Sequence, residues 1–150
     1  MIITSEDIKN SIISRLLELF PDVSVYKESK TNPSYPHFFV YQLNLSVDKE
    51  RKNHHIYDYS MDIRYRISSD PSTNLKLQQN LDSVSFILLN NMNIIKCKDS
   101  YIRCEEKNIE KVDGVLHFFC HFKILVKLEN ENENENIQKF NNLEVNLNVK

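Results

Sequence analysis

The chain has 150 residues, a formal net charge of −2 and basic and acidic side chains that are mixed along its length. This balance argues against tight binding to nucleic-acid phosphates, which relies on a clustered basic surface. Gly114 is the only glycine, whereas phosphate-binding loops and dinucleotide turns need several. A nucleotide-dependent enzyme of a common design is therefore not expected.

The cysteines, Cys97, Cys104 and Cys120, form no C-x-x-C motif, so neither a zinc knuckle nor a thioredoxin-like site is indicated. A reducing cytoplasm is the expected setting. The N-terminus lacks the basic and apolar regions of a signal peptide. No apolar run reaches the length of about 20 residues that a membrane span requires.

The first half of the chain predicts one helix followed by three strands. The helix covers residues 5–20, because apolar residues recur there at helical spacing and Pro21 ends it. The predicted strands cover residues 23–26, 37–47 and 57–67, separated by a polar loop at 27–36 and a charged turn at 48–55. The alternation over 57–67 is strict, so this strand should bury one face and pair antiparallel with the strand before it.

The second half predicts another helix and then further strands. The helix covers roughly residues 74–91, with one apolar stripe. Short strands are expected at 94–97, 101–105 and 109–112. Asp113-Gly114 predicts a tight hairpin turn, because glycine accepts the positive φ that such turns require. The turn leads into a long strand over 115–128.

The two faces of this last strand differ in character. One carries an unbroken apolar series that includes Phe118 and Cys120, whereas the other mixes apolar side chains with histidine and lysine. Val115, Phe119 and Leu125 on the mixed face are candidate interface residues. Two explanations are open: another protein covers them, or a helix or loop of the same chain does.

Catalytic and metal sites are weighed and set aside. His117 and His121 share a strand face but are roughly 13 Å apart along it, too far to hold one zinc ion. Cys120 and His121 point to opposite faces, which disfavours a nucleophilic pair. Asp58 and Asp62 resemble a carboxylate pair, but Arg64 and Arg66 on the same face favour a cross-strand charge lattice. The prediction is no catalytic residue, no metal and no cofactor.

The C-terminal part divides into a linker and an arm. Residues 129–136 alternate glutamate and asparagine and predict a solvated linker. Residues 137–150 then regain a strand-like alternation and predict an arm that adds to a sheet of this or another chain. The candidate interface residues of the arm are Phe140, Leu143, Val145, Leu147 and Val149.

Several tracts together resemble the tail terminator family of tailed bacteriophages, prophages and contractile tail-like bacteriocins of Gram-positive bacteria. In chain order they are FP after the first helix, PHFFV, YSMDIRY, VDGVLHFF and LEVNLNVK. The resemblance covers nearly the whole chain and is most specific in VDGVLHFF and LEVNLNVK. Leu147, where a glycine is expected, and the Glu-Asn linker depart from it.

The resemblance implies an α+β subunit, a mostly antiparallel sheet with two helices packed on one face and an extended C-terminal arm. Residues 1–128 form the domain in this interpretation. The subunit would not be an enzyme. Six copies would form a ring at the top of the tail, assembled in the host cytoplasm, that caps the tail tube and ends its growth. Its partners would be itself, the tube protein and sheath, neck or collar proteins, without a membrane or specific nucleic-acid binding.

Two alternatives remain open from the sequence. One is a neck or tail-completion adaptor with a similar subunit. The other belongs to a different class, a small cytosolic enzyme or ligand-binding domain that uses histidine and tyrosine side chains in a cleft. A ring or copurification with tubes favours the assembly readings, whereas a monomer that binds a small ligand favours the other.

Overall fold

A computed structural model describes residues 3–27, 29–69 and 74–127. Its helices and strands follow one another in the order α1 (Ser5–Leu19), β1 (Ser24–Tyr26), β2 (His37–Arg51), β3 (His54–Arg66), α2 (Leu75–Asn91), β4 (Ile94–Cys97), β5 (Ser100–Val112) and β6 (Val115–Lys127). Both predicted helices and the predicted strands are present, so the α+β class is confirmed. The linker at 129–136 and the arm at 137–150 lie outside the described residues, and the proposed domain division stays a prediction.

The strands form one six-stranded sheet in the order β1-β2-β3-β6-β5-β4. The sheet is mixed, since β1 runs parallel to β2 while the other neighbours pair antiparallel. The prediction of a mostly antiparallel sheet missed the parallel pair. Three residues, Ser24–Tyr26, carry too short a pattern to reveal a strand direction.

Local signals explain where the helices begin. Thr4 caps α1, because its hydroxyl accepts a hydrogen bond from the Asp7 N–H at 3.2 Å and the Asp7 carboxylate accepts one from the Thr4 N–H at 2.8 Å. The bond from the Thr4 backbone lowers the pKa of Asp7 below its ordinary value. Asn74 caps α2 in a similar way, accepting from the Leu77 N–H at 2.8 Å.

Two tight turns set the register of the four central strands. Asp113 and Gly114 have φ of 52° and 76°, as a two-residue turn between β5 and β6 requires. This confirms the predicted hairpin. Between β2 and β3 the turn is formed by Lys52 and Asn53, with φ of 74° at Asn53. The predicted charged turn at 48–55 was too long, because β2 continues to Arg51 and β3 begins at His54, directly on either side of this pair.

The predicted strands at 101–105 and 109–112 are likewise one strand, β5, which a bulge between Cys104 and Glu106 interrupts. The sequence separates them because the intervening residues are polar, and β5 bears mostly exposed side chains there. A bulge adds one residue to a strand without ending it.

The core lies between the helices and one face of the sheet. Both helices contribute apolar stripes, and β2, β3 and β6 contribute alternate residues, as the period-two pattern predicted. Phe38, Met61, Ile63, Phe118 and Phe122 are all fully buried there. We refer to the opposite side of the sheet as the open face. No helix in the described part of the chain is long and apolar enough to cross a membrane.

Candidate functional site

The open face carries three rows of side chains in register. The antiparallel pairing places Tyr41 of β2 beside Asp62 of β3, and Asp62 beside Phe119 of β6. The row on β2 is aromatic, the row on β3 is charged, and the row on β6 alternates histidine with phenylalanine. The members of these rows are Phe39, Tyr41, Asp58, Asp62, Arg64, His117, Phe119 and His121.

Asp62 is the centre of the charged row. Its carboxylate is only 1% exposed, yet it contacts Arg64 Nε at 2.7 Å and His117 Nδ1 at 3.1 Å. The Arg64 guanidinium also lies over the Tyr41 ring, 4.2 Å from its centroid. Burial of a carboxylate is costly unless it is paired, so these contacts satisfy Asp62. Arg64 pairs with Asp62 along the same strand, and the cross-strand partner of Asp62 is His117, so the charge pairing differs from the predicted lattice of Arg64 and Arg66.

Asp58 forms a second, separate pair with His121. Its carboxylate lies 3.1 Å from His121 Nδ1, and Ser60 Oγ lies 3.2 Å from the same nitrogen. Each histidine of β6 thus meets an aspartate of β3, a pairing that no local sequence pattern predicts. The pairing of β3 with β6, which unites the two alternating segments, is the missing information. In the described residues, no group of three or more histidine, cysteine or carboxylate side chains could hold a metal ion.

The aromatic row continues into the loop that precedes β2. The rings of Tyr35 and His37 are 4.8 Å apart, and those of His37 and Phe39 are 4.5 Å apart. His37 is 2% exposed, and its Nδ1 lies 3.0 Å from the Ser34 carbonyl oxygen. Burial lowers the pKa of His37, and the nearby positive charge of Arg66 acts in the same direction.

Two shallow depressions interrupt the open face. One, of about 330 Å³, lies between the loop before β2 and the start of β6, and Lys30, Tyr35, Arg64 and Val115 contribute to its lining. The other, of about 370 Å³, lies further along and includes Leu43, Phe119 and His121. The first depression is basic and aromatic, whereas the second is mixed.

The predicted interface residues therefore have different surroundings. Val115 and Phe119 are half-buried in separate depressions, and the Phe119 ring stacks on His117 with centroids 5.7 Å apart. Leu125 is 59% exposed. The loop before β2 lines the depression that holds Val115. This favours the explanation that a loop of the same chain covers part of the Val115 side chain. The remaining five, Phe140, Leu143, Val145, Leu147 and Val149, lie outside the described residues.

Burial ends abruptly along three strands. The last buried residues toward the β2–β3 turn are Val40, Tyr59 and Phe122. Beyond them lies what we call the uncovered end of the sheet: residues 43–51 of β2, 54–58 of β3 and 123–127 of β6. Sequence reasoning missed this region because residues 48–55 were read as a turn. The signal present was the alternation of Leu43, Leu45 and Val47, which are 52%, 39% and 49% exposed.

The cysteines lie on the covered side of the sheet. Cys120 is fully buried among the core residues while His121 points to the open face, so the predicted separation of this pair is confirmed. A hydrogen bond with Cys104, together with burial, raises the pKa of Cys120 well above its ordinary value. A thiol with this pKa is a poor nucleophile near neutral pH.

A third depression, of about 570 Å³, lies between α1 and β4. Four of its charged side chains are engaged with one another or with the backbone: Arg15 contacts Glu18 at 3.0 Å and the Asn91 carbonyl at 3.1 Å, and Lys98 contacts Asp7 at 3.0 Å. These contacts brace α1 against its neighbours.

The candidate site is therefore a pair of broad sheet surfaces, the open face and the uncovered end, as a subunit of an assembly would present. A family model described as "Phage tail terminator protein" matches residues 7–134. The chain therefore belongs to the phage tail terminator family. This is a family of structural proteins, so membership gives the chain a tail-completing role in the virion tail, in association with other tail components. No curated protein matches the chain.

Proposed function

We propose that six copies of this chain form a ring that caps the tail tube, ends its polymerisation and joins it to neck or collar components. The family match supports the terminating role. The single structural observation that supports assembly is the uncovered end of the sheet, where Leu45 and Val47 on the helix side, Leu125 on the open face and Leu43 at the β2 bulge expose apolar surface to solvent. By the resemblance of the chain, the particle is the tail of a phage or prophage, or a contractile tail-like bacteriocin, of a Gram-positive host.

A closed ring of identical subunits in head-to-tail contact needs two different patches on each subunit. The uncovered end of the sheet is one candidate. The open face around Val115 and Phe119 is the other, since its two depressions can receive side chains of a neighbour. Leu125 and the arm residues Phe140, Leu143, Val145, Leu147 and Val149 complete the proposed interface set.

The contacts with the tube or sheath are assigned to the two loops nearest these patches. They are residues 27–36, which border the basic depression, and the β2–β3 turn with its flanking charges at 48–55. Both are polar, as is usual for the rim of an interface.

The test combines mass with function. Native mass spectrometry of the purified chain should give six times the mass of 17.8 kDa, and the addition of this protein to polymerising tube subunits should shorten the tubes in electron micrographs. Leu125→Glu should weaken both effects, whereas Leu17→Glu, a matched exposed leucine on α1, should leave them unchanged.

The outcomes separate the alternatives. A ring that binds finished tubes without limiting their length would favour the neck or tail-completion adaptor. A chain that stays monomeric at high concentration and binds a small molecule would contradict the proposal and favour the ligand-binding domain.

A further inference from the structure

The sheet has one long edge next to the uncovered end. β1 pairs only with residues His37–Phe39 of β2, so within the described residues the outer edge of β2 from 40 to 51 pairs with no strand. On the other side of the sheet, β5 has a similar free edge. β4 pairs only with Ser100–Arg103, and residues 105–112 of β5 have no strand on their outer side in the described part of the chain. A long unpaired edge is a template for an added strand.

The side chains along the β2 edge specify what kind of strand fits. Leu45 and Val47 point to the helix side, opposite Tyr59 and Tyr57, whereas Asn44 and Ser46 point to the open face. The residues 143–149, LEVNLNV, have the same alternation of apolar and polar side chains. A strand formed by them would place its apolar side chains beside Leu45 and Val47 and its polar ones beside Asn44 and Ser46.

Charge favours β2 over β5 as the acceptor. Lys49, Arg51 and Lys52 outnumber Asp48 and Glu50 at the end of β2, and Lys127 lies opposite His54 beside them. The linker that precedes LEVNLNV is acidic, with glutamate at positions 129, 131, 133 and 135. On the free edge of β5, residues 105–112, Glu105, Glu106 and Glu110 outnumber Lys107 and Lys111, so its charge balance is negative and would repel that linker.

The position of the chain exit and the linker length favour a neighbouring subunit. β6 ends at Lys127, level with the β2–β3 turn. Passing from there across β3 and β2 in the same subunit covers only about 15 Å. Residues 128–142 can span up to about 50 Å, so the linker is much longer than a return to its own sheet needs.

We infer that residues 143–149 of one subunit add as a strand to the free edge of β2 in the next subunit of the ring. This inference rests on the proposed function and names the contact that would join adjacent subunits. Main-chain hydrogen bonds would hold the strand, and the alternating side chains would fix its face.

The experiment is cross-linking between two differently marked chains. One full-length chain carries Ser46→Cys and the other Asn146→Cys; they are mixed, assembled and treated with a short thiol cross-linker. The natural cysteines are all buried. The control replaces Ser46→Cys by Asn108→Cys, an exposed position on the β5 edge. We expect a covalent dimer of the two marked chains for the first pair, at least tenfold more abundant than for the control.

Three results would overturn the inference: rings without this dimer, equal dimer from the control, or, when one chain is given both substitutions, linkage confined within that chain. The first leaves the proposed ring intact and rejects only this contact. A chain that forms no ring contradicts the proposed function itself, and the dimer band still reports on the strand contact. Removal of residues 143–150 should raise the concentration for half-assembly at least tenfold.

Discussion

The two ends of the central strands differ in what covers them. Toward the β5–β6 turn, the sheet is covered by both helices, and Leu116 and Phe118 of β6 are fully buried. Toward the β2–β3 turn, β6 continues with the same alternation, yet Ile124 and Val126 on the same face are only half-buried. One regular strand thus serves two environments. The covered part holds the subunit together, whereas the uncovered end is free to serve assembly.

The polar pairs on the open face also become more exposed toward the uncovered end. Near the middle of the sheet, the buried Asp62 is fixed by Arg64 and His117. Four residues further along β3, toward the uncovered end, the Asp58–His121 pair is more exposed. Polar contacts therefore become weaker toward the uncovered end, because solvent competes for them.

The largest contrast should come from one substitution at two positions of β6. Leu116→Ala removes a fully buried side chain and should lower the free energy of unfolding by about 2–5 kcal/mol. Leu125→Ala, 59% exposed, should change it by less than about 0.5 kcal/mol. Urea denaturation of both variants measures the difference. Leu125 lies on the open face of the sheet, so equal losses would mean that the open face is also covered at this end of β6.

The two aspartates of β3 give the next contrast. Asp62→Asn should lower the free energy of unfolding by about 1–3 kcal/mol, because Arg64 and His117 lose a buried charged partner. Asp58→Asn should cost at most about 1 kcal/mol, since its pair with His121 is more exposed. Urea denaturation of both variants measures the difference. A larger loss for Asp58→Asn than for Asp62→Asn would contradict the conclusion that Asp62 forms the stronger contacts.

A charge exchange tests the uncovered end in assembly. The double change Lys49→Glu and Arg51→Glu should raise the concentration for half-assembly about tenfold, or about 1.4 kcal/mol, because it repels the acidic linker. Lys76→Glu with Lys96→Glu, both exposed and away from this end, is the control of equal charge. Lysine at positions 129, 131, 133 and 135 should restore assembly. Sedimentation measures the assembly of both double variants. Equal effects would mean that net charge alone weakens assembly, and would contradict a specific contact with the linker.

The smallest effect concerns His37 and pH. Burial lowers its pKa in the folded state below the ordinary 6.5, so the unfolded chain binds the proton more readily. The free energy of unfolding should therefore fall as the pH drops below about 6.5, by at most about 1.4 kcal/mol per pH unit from this residue. His37→Phe should reduce this slope in urea denaturation between about pH 7 and about pH 5. An unchanged slope would contradict it.

Much of the fold could be predicted because short-range patterns carry it. The alternation over Tyr59, Met61 and Ile63, the apolar stripes of both helices and the Asp113-Gly114 turn each reflect a local physical rule. These determine the elements, their faces and one hairpin. The parallel pairing of β1 with β2 and the continuity of β5 could not be foreseen, since they depend on contacts distant in the sequence.

The candidate site could be predicted only in part. Val115, Phe119 and Leu125 are predicted by their place on the mixed face of β6, and their role as interface residues stays a prediction. The aspartate partners of His117 and His121 depend on which strand lies beside β6, which no local pattern reveals. The uncovered end depends on where the helices stop, and helix length does not follow from the strands.

Hydrogen exchange, measured below and above the concentration at which the chain assembles, tests most directly whether the uncovered end is the assembly surface. Backbone amides in residues 43–51 of β2 should exchange more slowly in the assembled form, while those of α1 and α2 should change little. Protection confined to the helices, with residues 43–51 unchanged, would contradict the account, as would a chain that never assembles.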